Sequence, residues 1–316
     1  MKKYPCLKII LLSLTIAGLG LFISCGNTDS KSGRNDKKFS AKISFKDGNV
    51  QQYDNFHRLV VSHALYSEIR TDVPDVTYVK KYSLPVDIGP YETDVPFEII
   101  RNITFEIKKD STGYNEYIHA VVVLGDNSVI EGRTWALFKG NTSLGESSAR
   151  IADDMQRDKL NLTRIVFDHE AGKSFEAKPF GKHTATLIQA DGNAVKLLSA
   201  GFMKEKVNDN GCYLEDEYSE NMDFKSESQG EYEIDWKKIA SITQDDPEIN
   251  LFNNFLDYRH QFKLKTRDGQ EYKGSCQTWA VAVHNVRGIT TINSNYNLQV
   301  TVPLYMAHYS KITFGD

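Results

Sequence analysis

The chain has little excess basic charge, few cysteines and no apolar run long enough to cross a bilayer. Among its 316 residues, 38 are basic and 42 are acidic, and the net charge is -4. Nucleic-acid binding requires a concentrated basic face, so we expect no nucleic-acid partner. A transmembrane helix requires about 20 consecutive apolar residues, and no segment reaches that length. The sequence therefore disfavours nucleic-acid-binding proteins and proteins held by a membrane-spanning helix.

The sequence also lacks the motifs of common catalytic sites. It has no Gly-x-Ser-x-Gly elbow and no phosphate-binding Gly-x-x-x-x-Gly-Lys loop. His169-Glu170 begins a metalloprotease-like pattern, but Lys173 stands where the second histidine is required. A calcium loop over residues 206–217 fails because Lys206 takes the position of its first carboxylate. We expect no catalytic residue, metal or cofactor, and an enzyme is the less favoured class.

The N-terminus carries the clearest signal in the chain. Three lysines precede an apolar run over residues 9–23, and the small residue Ser24 follows it. A basic start, an apolar centre and a small residue are the layout of a secretory signal peptide. We therefore expect residues 1–24 to direct export and to be removed.

Residues 21–25 read Leu-Phe-Ile-Ser-Cys and resemble the lipobox of bacterial lipoprotein precursors. The resemblance covers the first 25 residues and implies cleavage before Cys25, which would carry the lipid. It also implies an exported protein held on the membrane by that lipid. Gly26 stands where an aspartate favours inner-membrane retention in some Gram-negative lipoproteins, so the outer membrane is expected in such a cell. The alternative is an ordinary signal peptide with an incidental cysteine.

Residues 25–40 are polar and show no hydrophobic period, which predicts a flexible lipid-anchored tether. After cleavage, 292 residues with a charge of about -7 remain, and this length favours two domains. Two further cysteines, Cys212 and Cys276, remain in an exported chain, where a disulfide between them is allowed. Two free thiols are the alternative.

Two repeated motifs divide the rest of the chain. Asp47-Gly48-Asn49 recurs as Asp191-Gly192-Asn193, 144 residues later, and Thr134-Trp135-Ala136 recurs at the same spacing as residues 278–280. Equal spacing at two independent points indicates a duplication. We predict two tandem β-rich domains, residues 41–178 and residues 179–316.

The sequence pattern of each half predicts two small modules. We expect the structure to be all-β, barrel-like or sandwich-like, with little helix. A module contains a strand, a tight turn, a second strand and a closing segment in which three-residue spacing gives way to alternation. The turns lie at Asp47-Gly48, Asp126-Asn127, Asp191-Gly192 and Asp268-Gly269. One helix is weighed against strand over residues 147–160, where Ile151, Met155 and Leu160 share a helical face.

The tryptophans admit two interpretations. Trp135 and Trp279 lie at matching places in the repeat, and Trp236 occupies an apolar position of a closing segment. Stacking on a carbohydrate ligand is one interpretation. We favour the other, in which repeated tryptophans fill a repeated core.

Two long excursions, residues 63–96 and residues 204–231, are the predicted binding loops, because long insertions often carry binding sites. For the second excursion, a loose calcium site and a solvated acidic loop both remain open. The candidate residues are Tyr66, Tyr78, Tyr82 and Tyr91 in the first and Asp209, Glu215 and Asp216 in the second.

The function expected from the sequence is non-catalytic binding or scaffolding at the cell envelope. Repeated modules without a distinctive polar constellation favour a display surface over a catalytic site. The expected partners are the membrane, through the lipid, and an envelope protein or a glycan. The alternatives are an envelope hydrolase acting on polysaccharide or peptide, and a structural subunit of an envelope assembly that presents a large apolar patch.

Overall fold

The computed structural model describes residues 38–62, 77–109, 116–153, 156–207, 213–226, 230–244, 262–275, 285–292, 294–304 and 309–315. The predicted signal peptide, Cys25 and most of the predicted tether lie outside these ranges. The described residues form β-strands that pair antiparallel, with two short 3₁₀ helices. The all-β class is confirmed.

The first half has one long strand, β2, and a short 3₁₀ helix, Phe97–Ile99, before β6. Their bounds are β1 Ala41–Phe45, β2 Val50–Ser62, β3 Thr77–Lys81, β4 Ser83–Asp87, β5 Glu92–Pro96, β6 Ile100–Lys109, β7 Glu116–Leu124, β8 Val129–Arg133, β9 Leu137–Thr142, β10 Gly145–Arg150, β11 Ala152–Asp153, β12 Gln156–Leu160 and β13 Leu162–Phe167.

The described strands of the second half follow the same order except for β11 and β12, with a long β15 and a 3₁₀ helix, Trp236–Lys238, before β19. Its strands are β14 His183–Gln189, β15 Ala194–Val207, β16 Tyr213–Ser219, β17 Asn221–Ser226, β18 Gly230–Asp235, β19 Ile239–Gln244, β20 Phe262–Thr266, β21 Glu271–Ser275, β22 Asn285–Thr291, β23 Asn297–Pro303 and β24 Tyr309–Phe314.

The two halves contain matching strand pairings. β1 pairs with β2 and β13, as β14 pairs with β15 and β24. The run β13-β6-β7-β8-β4-β5 corresponds to β24-β19-β20-β21-β17-β18. β2-β9-β10 corresponds to β15-β22-β23. Contacts group residues Lys38–Asp316 into one unit, and the division into two domains stays a prediction.

The four predicted hairpin turns are present. Gly48, Gly192 and Gly269 have φ values of 87°, 86° and 90°, and Asn127 takes the same place with φ 68°. In each turn a backbone N–H donates back across the hairpin, as from Phe45 to the Asn49 carbonyl at 2.9 Å. Glycine and asparagine tolerate this left-handed conformation, which is why these residue types marked the turns.

The closing segments are also present, but each closing strand pairs with strands of the other module. Each half has one closing segment that begins as a 3₁₀ helix and runs on into a strand, as its spacing predicted. β6, which closes the first module, pairs with β7 of the second module, and β13 returns to β1. The two closing strands meet at Ile103 and Ile165, as β19 and β24 meet at Ile242 and Ile312. A short connection makes β6 and β7 neighbours, so the modules share their sheets.

The helix considered for residues 147–160 is not formed, and that interpretation of the apolar pattern is wrong. This stretch contains the end of β10 and the strands β11 and β12. β10 pairs with β9 along its length, Ser147 lying opposite Gly140, and Ala149 is buried. Pairing with a neighbouring strand satisfies the backbone and outweighs a weak three-residue apolar pattern.

Among the described strands, one pair joins the two halves. β23 pairs with β5, Val300 lying opposite Thr93 and Thr301 opposite Glu92. The Thr93 hydroxyl donates to the Gln299 carbonyl at 2.9 Å across the same junction. We call this the β5-β23 junction.

Candidate binding surface

A row of polar residues crosses the sheet from β6 to β22 through the β5-β23 junction. Residues directly opposite each other on paired strands lie on one face of the sheet, so the register places these side by side. In order, the row contains Glu106, His119, Arg133, Asp87, Glu92, Thr301 and Arg287.

Glu92, the residue of the row that lies on β5 at the β5-β23 junction, has an unusual acidity. Burial, followed by the negative charges of Asp87 and Asp94, raises the pKa of Glu92 to about 7. Asp94 is in turn held by the buried Arg58, whose Nη2 lies 2.9 Å from its Oδ1. At neutral pH the Glu92 carboxyl is about half protonated, so it can donate a hydrogen bond as well as accept one.

The outer end of the row is a charged and aromatic surface, which we call the Trp135 patch: Tyr117, His119, Glu131, Arg133 and Trp135. The Arg133 guanidinium carbon lies 4.4 Å from the centroid of the Tyr117 ring. His119 Nε2 lies 3.3 Å from Glu131 Oε2. Trp135 lies two residues past the end of β8 and is 55% exposed.

The backbone beneath Trp135 is held firmly. The Thr134 N–H donates to the Ile118 carbonyl at 3.0 Å, which extends the β7-β8 pairing by one residue. The buried Thr134 hydroxyl donates to the Pro85 carbonyl at 2.6 Å. These two bonds anchor the backbone of the residue directly before Trp135.

A neighbouring ion pair sets the charge at the edge of the patch. Lys108 Nζ lies 2.9 Å from Glu106 Oε1. The hydrogen bond from Lys108 lowers the pKa of Glu106, and the carboxylate stays ionised at neutral pH. The patch therefore offers an aromatic face, a cationic donor and carboxylate acceptors within one sheet surface.

The tryptophan interpretation is thus half right. Trp236 is fully buried, and its indole N–H donates to the Gly315 carbonyl at 2.8 Å, as expected for a core residue. Trp135 was expected in the core as well, and this is wrong, because it lies past the last residue of β8, where the chain leaves the sheet. Trp279 lies outside the described residues.

The first predicted binding loop contains sheet strands. Tyr78 belongs to β3, and Tyr82 packs on Phe39 with 5.6 Å between ring centroids. Tyr91 is only 6% exposed and belongs to the core. Tyr82 and Tyr91 are therefore packing residues, and Tyr66 lies outside the described residues.

The second predicted loop is also built of strands where it is described. Glu215 and Asp216 lie in β16, opposite Lys206 and Glu205 of β15. Asp209 lies outside the described residues, as do Cys212 and Cys276, and the calcium alternative and the disulfide stay predictions.

A pocket of about 540 Å³ lies in the second half, and sequence reasoning missed it. The turn between β20 and β21, the 3₁₀ helix Trp236–Lys238 and the hairpin β17-β18 form its walls. The repeated Asp-Gly turn was the available signal, but only the folded chain brings the three elements together. The lining residues are Phe224, Tyr232, Glu233, Ile234, Lys237, Lys238, Thr266, Arg267, Asp268, Gln270 and Tyr272.

Within the described ranges, no three histidine, cysteine, aspartate or glutamate side chains are placed to hold a metal ion. Among the same residues, no helix has the length and apolar character needed to cross a membrane.

No protein-family model, curated protein or solved structure matches this chain.

Proposed function

We propose that this protein is a lipid-anchored binding protein of the cell envelope, and that its Trp135 patch binds a glycan without chemical turnover. The lipobox-like residues 21–25 support the location. The Trp135 patch supports the binding role and the ligand class.

The exposure of Trp135 is the observation that carries the proposal. Burying a large aromatic side chain is favourable by roughly 2–3 kcal/mol, so a tryptophan that is 55% exposed forgoes much of that gain. Tryptophan is enriched at binding surfaces because it offers a large apolar face at a small entropic cost. A ligand that covers the indole would recover the lost burial.

The polar neighbours of the indole favour a sugar over a purely apolar ligand. A sugar ring has an apolar C–H face that can stack on an indole and a rim of hydroxyl groups. Arg133 can donate to those hydroxyls, and Glu131 can accept from them. His119, placed between two carboxylates, can do either according to its tautomer.

Binding can be tested with soluble fragments of the envelope polysaccharide from the source cells. Covering an exposed indole should shift its fluorescence to shorter wavelength, and Trp135→Ala should weaken binding at least tenfold. Val50→Ala is the matched control, because Val50 is also an exposed apolar residue, 61% exposed, but lies on β2. Equal binding by wild type and Trp135→Ala would refute the glycan role of the patch.

The location can be tested separately by intact mass spectrometry of the protein purified from its native membrane. A chain that begins at Cys25 and carries a diacylglyceryl or triacyl addition is the expected result. An unmodified chain released into the medium would refute the lipid anchor and support the ordinary signal peptide.

A further inference from the structure

In each half, a backbone hydrogen bond ties a hairpin turn to the 3₁₀ helix of the same half. The Gly125 N–H donates to the Ile99 carbonyl, and the Arg267 N–H donates to the Lys238 carbonyl, each at 2.9 Å. Both donors stand directly before the aspartate of their turn, and both acceptors are the last residue of their 3₁₀ helix. The two halves can therefore be compared residue by residue at this place.

In the first half, segments of the chain itself pack at this place. The Gly172 N–H donates to the Glu98 carbonyl of the 3₁₀ helix at 2.9 Å, and the buried Tyr296 donates its hydroxyl to the Gly172 carbonyl at 2.6 Å. The Asn295 N–H donates to Asp126 Oδ2 in the turn at 3.1 Å. The first half thus holds an aromatic ring between its turn and its 3₁₀ helix.

In the second half, the pocket of about 540 Å³ lies between the corresponding turn and the corresponding 3₁₀ helix. A Cβ on Gly125 would lie 2.4 Å from the Gly172 carbonyl oxygen, so a chain segment cannot pack against Arg267 as closely as it packs against Gly125. The volume of the pocket falls in the usual range for ligand sites, about 300–1,000 Å³. The place therefore suits a small ligand better than a second chain segment.

The 3₁₀ helices differ in charge where they face this place. Glu98 and the buried Ile99 of the first half correspond to Lys237 and Lys238 of the second half. Both lysines are exposed, and both line the pocket. Of the ion pairs formed between described residues of the second half, none includes either lysine. The second half thus presents two cations where the first has a carboxylate and an apolar side chain.

The two carboxylates in the pocket wall already accept hydrogen bonds from neighbouring side chains. Glu233 Oε1 accepts from Asn221 Nδ2 at 3.0 Å. Asp268 accepts from the Thr266 hydroxyl, and this bond lowers the pKa of Asp268. These neighbours hold both carboxylates in place, so the lysines are the charged groups that a ligand can engage.

The remaining wall of the pocket is largely apolar. Phe224 and Ile234 line it from the β17-β18 hairpin. Tyr272 lines it from β21, at the position that corresponds to the buried Ile130 of β8. Transfer of an apolar ring from water to such a wall is favourable.

We infer that this pocket binds a small organic anion with an aromatic ring. The ring lies against Phe224 and Tyr272, and a carboxylate or phosphate group accepts charge-assisted hydrogen bonds from Lys237 and Lys238. The pocket belongs to the second half and the Trp135 patch to the first, so anion binding holds whether or not the patch binds a glycan.

Isothermal titration calorimetry of the purified full-length chain tests the inference, with 1-naphthyl phosphate and 1-naphthoate as the aromatic anions. We expect one site per chain, and the anion that binds more tightly identifies the charged group that the site prefers. The neutral alcohol 1-naphthalenemethanol should bind at least tenfold more weakly, because only an anion gains from the lysines. No saturable binding of either anion, or equal binding of the neutral alcohol, would overturn the inference.

Charge reversal at the two lysines gives the sharper result. Lys237→Glu introduces the residue type of its counterpart, Glu98, and Lys238→Glu acts on the neighbouring cation; each should weaken anion binding at least tenfold. Lys196→Glu is the matched control, because Lys196 is an exposed lysine of β15 outside the pocket wall, and it should leave binding unchanged. Unchanged melting temperatures show that all three variants are folded. Wild-type affinity in both pocket variants, or an equal loss in Lys196→Glu, would contradict the site.

Discussion

Glu92 shows how a single residue can couple the junction of the two halves to pH. It lies on β5, directly opposite Thr301 of β23, with Asp87 on its other side. Burial and two nearby carboxylates favour its neutral form. Proton release from Glu92 therefore places a poorly solvated negative charge at the strand pair that joins the halves.

This acidity predicts a pH dependence of stability. The pKa of Glu92 rises from 4.5 to about 7 on folding, so the folded chain holds a proton that the unfolded chain has released between these pH values. Its contribution to the free energy of unfolding is therefore largest below pH 4.5, falls as the pH rises, and is lost above 7. The shift corresponds to about 3 kcal/mol. Urea unfolding of wild type and Glu92→Gln at several pH values measures it.

The difference between the two proteins is the informative quantity, because other groups titrate nearby. Burial lowers the pKa of His57 and of His183, and this alone makes stability fall as the pH decreases below about 6.5. Both proteins share that effect, so it cancels in the difference. A difference that does not change between pH 4.5 and 8 would contradict the assigned acidity.

At the scale of elements, the hairpin turns show that one backbone geometry is used four times. Three of the turns place glycine at the left-handed position, and Asn127 serves in the fourth. An added Cβ at Gly192 would meet nothing within 4 Å, so backbone conformation alone sets the cost of a side chain there.

We therefore expect Gly192→Ala to lower the free energy of unfolding by about 1 kcal/mol, because alanine is strained at positive φ. Gly192→Asn should cost clearly less, since asparagine occupies the matching position in the β7-β8 turn. Chemical denaturation of the three proteins measures both effects. Equal losses for the two variants would show that the side chain, and not the backbone, sets the cost.

At the scale of the whole molecule, the segment around Gly172, which connects the two halves, packs against the β7-β8 turn of the first half at Gly125. Gly125 donates its N–H to the Ile99 carbonyl, and Gly172 donates to the Glu98 carbonyl, each at 2.9 Å. A Cβ on Gly125 would lie 2.4 Å from the Gly172 carbonyl oxygen and 3.0 Å from the Tyr296 hydroxyl. The backbone can approach this closely only because residue 125 has no side chain.

Gly125→Ala should therefore push the connecting segment and the Tyr296 turn away, at a cost of about 1–3 kcal/mol in the free energy of unfolding. Gly172→Ala is the matched control, because its nearest contact would be an ordinary 3.6 Å and its effect should stay below about 0.5 kcal/mol. Hydrogen exchange should show lost protection in β23 and β5 for Gly125→Ala only. An unchanged β5-β23 junction would disprove the coupling.

Local features of this chain were predictable where a particular backbone conformation requires a particular residue type. The Asp-Gly and Asp-Asn turns required positive φ. The three-residue spacing of the closing segments, followed by alternation, predicted a short turn before a strand. Trp236 followed from the same closing-segment pattern. The helix over residues 147–160 and the core placement of Trp135 failed, because burial and strand pairing depend on neighbours that lie far away in sequence.

The sequence by itself determined the all-β class, the turns, the 144-residue spacing of the repeated motifs and the apolar positions of the core. Periodicity and turn chemistry are local, so one chain segment suffices to read them. The tertiary structure decided the exchange of closing strands, the row through Glu92, the exposure of Trp135 and the pocket beside β18. Each of these four features depends on which strands pair with each other. The residues within a single segment do not specify pairing between strands that are far apart in sequence.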